Sequence, residues 1–269
     1  MPVMNATGAV LLAGGSGFIG RAVARVLERQ GVCFETPERH SGIDLCDWES
    51  VQELDGMEAI VHVAGQASAP LSWEAPHSFY RENPLITLNL LELARLRNAR
   101  LILGSSYVYG VPKYLPDDEA HPVNPSNPYM ASTFMAEQLC AAYARDFGVP
   151  VIALRIFNAF GPGQRGDFLI PTVIEGVRRG ALLLRDPHPR RDFVHVDDVA
   201  EAVVAALRLQ GSGLTIGGRP VDVSYISEPR RGEIDDVVAD VSKAARLLGW
   251  TPRITLEEGI RKLLAEDAG

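Results

Sequence analysis

Short, nearly continuous apolar runs alternate with longer stretches in which apolar residues recur three and four positions apart. The runs are AVLLAG at 9–14, VCFET at 32–36, AIVHVAG at 59–65, RLILGSS at 100–106 and PVIALRIF at 150–157. Runs of this length with little polar alternation suit strands buried on both faces. The intervening segments 18–30, 76–97 and 129–147 carry the helical period. This alternation predicts an α/β fold, a doubly wound parallel sheet with helices on both sides.

From about Gly161 the texture changes. Glycine, proline and arginine become frequent in GPGQRG (161–166), RDPHPRRDF (185–193) and SEPRRGEID (227–235), with helical patterns at 197–209, 241–248 and 256–266. The expected division is a main domain over 1–160 and a smaller, interleaved C-terminal lobe over 161–269, set over the carboxyl edge of the sheet, where open α/β sheets bind ligands.

Composition narrows the partners. A net charge of −8 on 269 residues argues against a nucleic-acid backbone as main partner. No stretch approaches the roughly 18 apolar residues of a membrane helix, and the first residues lack the basic start of a signal peptide. The expectation is a cytoplasmic protein with no membrane partner. Cys33, Cys46 and Cys140 are widely spaced and outside any metal-like cluster. They read as buried free thiols in a reducing compartment.

The first strand runs into Gly14-Gly15-Ser16-Gly17-Phe18-Ile19-Gly20. Glycine at 14, 17 and 20 gives a tight turn, a close backbone approach to a pyrophosphate and close helix–strand packing, ahead of a helix N-terminus that favours anions. This is a dinucleotide site in prospect. An acidic residue ending the second strand would bind the adenosine ribose and favour NAD, whereas arginine would suit NADP. The loop offers Glu35, Glu38 and Arg39. Glu35, nearest the strand end, points to NAD without excluding NADP. Asp44 and Leu45 fit a segment beside the adenine. Val63, Ala64 and Gly65 would run under the cofactor, and His62 reads as a packed strand histidine.

These pieces, in order, resemble the extended short-chain dehydrogenase/reductases, the NAD-dependent epimerase/dehydratase family that modifies nucleotide sugars. The resemblance rests on GGSGFIG (14–20), IDLCD (43–47), HVAGQAS (62–68), Asn83, SSYVYG (105–110), NPYMAS with AEQL (127–139), LRIFNAFGPGQ (154–164), RRDFVHVDDVAEAV (190–203) and RLLGWTPRITLEEGIRKLL (246–264). It implies a Rossmann-type fold and a nucleotide-sugar substrate. Ser105 would hydrogen-bond the reacting sugar group and Tyr129 would be the general acid/base. Asn83 would lie along the cofactor, with Ser68, Ser106, Asn158, Arg191 and Arg231 toward the substrate. Arginine suits a diphosphate because its fork donates two parallel hydrogen bonds.

The family pattern puts lysine where this chain has Thr133. That lysine would lower the tyrosine pKa, and a shift of ~3 units is worth ~4 kcal/mol. Threonine brings no charge. The chain has three lysines, Lys113, Lys243 and Lys262, and only Lys113 follows the SSYVYG turn. The Asp-Glu pair of nucleotide-sugar dehydratases is replaced by Ser106 and Tyr107, which disfavours dehydration. The expected function is a nucleotide-sugar epimerase or keto-reductase using NAD(P), against a non-catalytic binding protein that retains the cofactor. The resemblance also implies a possible homodimer through 84–97 and 129–147, with Leu90, Leu91, Met135 and Leu139 on its face. The alternative is that these residues pack on the sheet.

Overall fold

The computed structural model describes residues 9–182, 184, 189–209, 219–220, 234 and 236–266. In chain order the elements are β1 (Ala9–Ala13), α1 (Phe18–Arg29), β2 (Phe34–Glu35), α2 (Trp48–Val51), β3 (Met57–His62), α3 (Ala69–Glu74), α4 (Pro76–Arg97), β4 (Arg100–Ser106), α5 (Pro128–Phe147), β5 (Val151–Ile156), β6 (Asn158–Phe160), α6 (Leu169–Arg178), β7 (Asp192–His195), α7 (Val196–Leu207), β8 (Arg219–Pro220), α8 (Ser242–Leu248) and α9 (Leu256–Glu266). Five strands form a parallel sheet in the order β2-β1-β3-β4-β5. The doubly wound sheet predicted from the apolar runs is therefore present. A second sheet, β6-β7-β8, was not foreseen, because its strands are two to four residues long and carry no periodic signal.

Period-two alternation sorts the strand residues between two layers. Val10, Leu12, Val61, Ile102, Leu154 and Ile156 face α1 and α7. Leu11, Ile60, Leu101, Leu103 and Val151 face α4 and α5. Since α7 comes from the C-terminal part yet completes the α1 layer, the chain returns to the main unit well after residue 160. Three exposed or half-exposed pairs line α1 against its neighbours: Arg25 with Asp197, Arg29 with Glu201, and Arg208 with Gln30. Solvent-exposed pairs of this kind add little stability.

Two readings of single residues change. Leu90 and Leu91 lie wholly inside the core beneath α4, so they cannot line a dimer face, whereas Met135 is exposed. All three cysteines are free, but only Cys140 is buried and Cys33 is exposed. Cys33 immediately precedes a two-residue strand at the sheet edge.

His62 ends β3 as a packed histidine. Thr87 donates its hydroxyl to the Asn83 carbonyl at 2.9 Å, so toward His62 it acts as acceptor, 2.9 Å from Nε2. The proton therefore sits on Nε2, and buried Nδ1 has no hydrogen-bond partner. Burial without an anion pushes the imidazole pKa down to about 4 from 6.5. The neutral ring's contribution is complete above pH 6.5 and is lost as the pH falls toward 4, on the order of 3 kcal/mol in all. Buried Asp117, raised by burial to about 6, works in the opposite sense over the same range. A His62→Gln variant, which retains a donor to Thr87, isolates the histidine. Its unfolding free energy between pH 7 and 4 should fall less steeply than that of the parent. Parallel curves would show that His62 does not titrate this way.

Candidate active site

The sheet order reverses between β1 and β3, and a crevice of about 350 Å³ opens there at the carboxyl ends of the strands. Its walls are Gly14, Ser16, Pro37, Glu38, Arg39, Ile43, Asp44, Leu45, Ala64, Gly65, Gln66, Glu82 and Ile86. Sterics shape its floor. Gly14 has φ +92°, and a Cβ there would lie 2.6 Å from the Ala64 nitrogen. A Cβ on Gly20 would lie 2.0 Å from the Gly14 carbonyl oxygen, backbone that cannot swing aside. Both positions admit only glycine, so α1 starts directly against the turn. Gly17 caps the helix without a side chain, and the first turn holds no acidic residue. The leading amides and the positive end of the helix dipole are left for an anion. Arg21 braces the rim, donating to the carbonyls of Ser16 at 2.5 Å and Gly163 at 3.0 Å.

Of the expected cofactor residues, Gly14, Asp44, Leu45, Ala64 and Gly65 line the crevice. Phe18 and Ile19 begin α1 but turn their side chains to the core, as does Val63, whose amide bonds the Ala13 carbonyl. Glu35, the expected ribose ligand, is exposed on β2 and outside the lining; Glu38 and Arg39 form that wall. Arg39 pairs with Asp44 at 3.5 Å, and the Asp44 carboxylate also accepts the Cys46 amide at 3.0 Å.

Asn83, expected along the cofactor, is spent on the protein. Its Nδ2 donates to the Gln66 carbonyl at 3.1 Å and to Ser132 Oγ at 3.0 Å, and its Oδ1 accepts the Gln66 amide at 2.8 Å. One buried amide thus ties the loop after β3, α4 and α5. Gly65, at φ +141°, lets the loop pass: a Cβ there would lie 2.9 Å from Asn83 Oδ1. Ser68 caps α3, accepting the Leu71 amide at 3.4 Å.

Asn127 caps α5 through the Met130 amide at 2.9 Å, and the helix then presents Tyr129, Thr133 and Glu137 at four-residue intervals along one face. The Tyr129 ring stands edge-on to Phe79, 6.3 Å between centroids. Burial raises the phenol pKa, while the neighbouring hydroxyls of Ser106 and Thr133 pull it down; no cation is among these influences. Thr133 Oγ1 donates to the Tyr129 carbonyl at 3.0 Å. Lys113 is exposed on the following loop and does not stand in for the missing charge.

Ser105 turns elsewhere. It donates to the Glu137 carboxylate, which also accepts Arg155 Nη2 at 2.7 Å and Arg155 Nε at 3.0 Å. Ser106 Oγ lies 3.5 Å from the Tyr107 carbonyl, and its hydroxyl, with that of Thr133, is among the groups that lower the Tyr129 pKa. Glu137 and Arg155 drew no notice in the sequence because one lies on a helix and the other on a strand, eighteen residues apart. Toward the C-terminal lobe, Asn158 donates to the Asp192 carbonyl at 3.0 Å, joining β6 to β7. Half-buried Arg191, just before β7, donates to the Ile234 carbonyl. Arg231 lies outside the described residues.

Comparison with known proteins places this geometry in context. The sequence model of the NAD dependent epimerase/dehydratase family matches residues 10–217. A putative UDP-glucose 4-epimerase of Methanocaldococcus jannaschii is 30% identical over 296 residues, covering 95% of this chain and 97% of its own. A GDP-6-deoxy-D-mannose reductase of Pseudomonas aeruginosa is 28% identical, covering 96% of each. The crystal structure of a Thermus thermophilus UDP-glucose 4-epimerase in complex with NAD superposes with a TM-score of 0.85 at 28% identity, over 97% of this chain and 99% of that one.

The Asn83 clamp is open to a direct check. Replacing it with leucine removes three hydrogen bonds, two to the part-buried Gln66 backbone and one to Ser132, each worth about 0.5–1.5 kcal/mol. Asn83→Leu should lower the unfolding free energy by about 3 kcal/mol in urea titrations. A loss below about 1 kcal/mol would show that the loop is held by other contacts.

Proposed function

The chain belongs to the NAD-dependent epimerase/dehydratase family, and from that membership we propose that it is a nucleotide-sugar keto-reductase, taking a nucleotide-linked sugar ketone as substrate and NAD as cofactor. The observation that carries this reading is the surroundings of Tyr129, a part-buried phenol whose pKa is raised by desolvation, with the hydroxyls of Ser106 and Thr133 but no cation among the groups acting on it. A base must lose its proton before it works; an acid only has to hold one. Ketone reduction asks for the acid, since the carbonyl oxygen gains a proton as its carbon gains hydride. Oxidation of an alcohol, with which an epimerase cycle begins, asks for the base.

The crevice fits a dinucleotide. The glycine-only turn admits a backbone-close ligand, the uncapped start of α1 would hold the pyrophosphate, and Glu38 with Asp44 would face the adenosine ribose. Bound there, the cofactor supplies hydride. Tyr129 delivers its phenolic proton to the ketone oxygen, and Ser106 donates a hydrogen bond to the same oxygen and orients it. In this assignment Ser106 takes the substrate-facing role that the resemblance gives to Ser105. The small sheet β6-β7-β8 would contribute to the substrate-binding lobe, with Arg191 toward the nucleotide diphosphate. The likeness to a reductase along 96% of the chain supports the reading.

The test is to supply a nucleotide-linked 4-keto sugar with NADH and follow the absorbance of the reduced nicotinamide. Consumption equal to the hydroxy sugar formed supports the reductase. Interconversion of UDP-glucose and UDP-galactose without net cofactor use would replace it with an epimerase. Bound cofactor with no turnover of either kind would leave a binding protein.

Two predictions follow from the charges. Thr133→Lys should accelerate oxidation of the hydroxy product by at least roughly tenfold at pH 7, because a cation beside Tyr129 eases loss of its proton. Unchanged oxidation rates would mean that base strength is not limiting. At the ribose end, Glu38 and Asp44 oppose a 2′-phosphate, while Arg39 would welcome it. The parent should prefer NAD, and Glu38→Ala should shift the ratio of the two dissociation constants toward NADP by about tenfold. A ratio that stays put would remove Glu38 from cofactor choice.

A further inference from the structure

The loop that joins β4 to α5, and so runs between Ser106 and Tyr129, buries a carboxyl group that the proposed chemistry does not use. The Asp117 side chain is wholly enclosed, and neither of its oxygens has a hydrogen-bond partner among the described residues. Facing it is buried His121, whose Nε2 lies 3.5 Å from Asp117 Oδ1. The histidine has no proton to offer there. Its Nε2 stands 2.8 Å from the Lys113 amide, and its Nδ1 stands 2.9 Å from the Pro122 carbonyl. A backbone amide can only donate and a carbonyl can only accept, so the ring is neutral with its proton on Nδ1. An ionised Asp117 would aim its charge at the lone pair of Nε2, away from solvent. A protonated Asp117 meets no such conflict.

The backbone at the same residue is a joint. The Asp117 amide donates to the Val238 carbonyl at 2.6 Å, and the Asp117 carbonyl accepts the Asp240 amide at 2.8 Å. The intervening Ala239 amide donates to Asp192 of β7 at 2.8 Å. Other ionisable groups surround the pair, and none of them donates to Asp117. On the loop and β4 side, Tyr107 gives its hydroxyl to the Gly110 carbonyl at 2.6 Å, and Tyr114 gives its own to Asp118 at 2.7 Å. Glu119 and Glu137 act on Tyr109, whose hydroxyl accepts Arg155 at 2.8 Å. On the C-terminal side stand Asp192, Asp240, Asp236 paired with Arg190, and Arg191, whose charge reaches Tyr107.

We propose that Asp117 and His121 form a proton-operated latch: while Asp117 is protonated, His121 holds the loop through the Lys113 amide, and loss of that proton releases it. Once Asp117 is ionised, the favourable arrangement puts the ring proton on Nε2, where it donates to the carboxylate. Nε2 can then no longer accept the Lys113 amide, and Nδ1 gives up the Pro122 carbonyl. One proton goes to solvent and one changes place on the ring. Burial holds the Asp117 pKa up at about 6, against an ordinary 3.8. A carboxyl raised in this way supports the latched form while protonated and withdraws that support as the pH rises through about 6. The latch acts on the loop whichever way hydride moves, so it stands apart from the reductase reading.

The test needs neither substrate nor cofactor. The chain has three lysines, so labelling with α-15N-lysine gives three backbone amide signals, and that of Lys113 is identified by its loss in Lys113→Arg. From about pH 5 to about pH 8 this signal should shift with a midpoint near 6. Spectra of 15N-histidine protein should show the His121 proton on Nδ1 below the midpoint and on Nε2 above it. Asp117→Asn, a neutral isostere of the protonated acid, should keep the Lys113 signal at its low-pH position throughout. The latch is overturned if the signal stays still in the parent, or if it moves alike in Asp117→Asn, which would show His121 titrating by itself. Should that variant not fold, the parent tautomer decides: a proton that stays on Nδ1 across the whole range overturns the latch.

Discussion

Everything in this molecule hangs on how closely three pieces of backbone approach one another at the end of β1. A methyl group at position 20 would occupy the Gly14 carbonyl oxygen, and one at position 14 would strike the backbone at Ala64. The turn can therefore be no wider, and the start of α1 is pressed against the first strand and the end of the third. That contact aims the free amides of the helix into the crevice between β1 and β3. A single side chain here would move the helix, and with it the layer that α1 shares with α7.

From this fixed corner the site is built outward by polar side chains, each joining two elements. Asn83 ties the crevice rim to α5 through Gln66 and Ser132. Glu137 and Arg155 tie α5 to β4 and β5. Arg21 ties the glycine turn to the loop around Gly163. Buried hydrogen bonds of this sort contribute modestly when made and cost heavily when half made. They hold the dinucleotide crevice and the Tyr129 helix in one register more by specificity than by net energy.

The exchange of a cation for Thr133 changes what the same frame can do. With lysine the tyrosine could give and take a proton near neutral pH. With threonine that charge is missing, and desolvation raises the phenol pKa. Charge is dispensed unevenly along this edge of the sheet: Glu38, Arg39 and Asp44 stand together in the crevice wall, while hydroxyls and no cation act on Tyr129. Family membership is consistent with either direction of reaction.

How much of this could be read along the chain depends on the range of the interactions involved. Apolar runs and helical periods depend on residues a few positions apart, and they marked all five strands of the main sheet and the helices 76–97 and 256–266 to the residue. The glycine turn was equally legible, since its spacing expresses a purely local steric need. Strands of two to four residues left no pattern, and the second sheet went unseen. Side-chain direction was the other loss. That Ser105 turns to Glu137, that Glu35 stops short of the crevice and that Asn83 is consumed by Gln66 and Ser132 all depend on partners from another element, up to 49 residues away. A sequence carries which groups exist and what each can donate or accept. Only the packed structure decides which of them meet, because burial forces every polar group to choose among the partners that topology brings within reach.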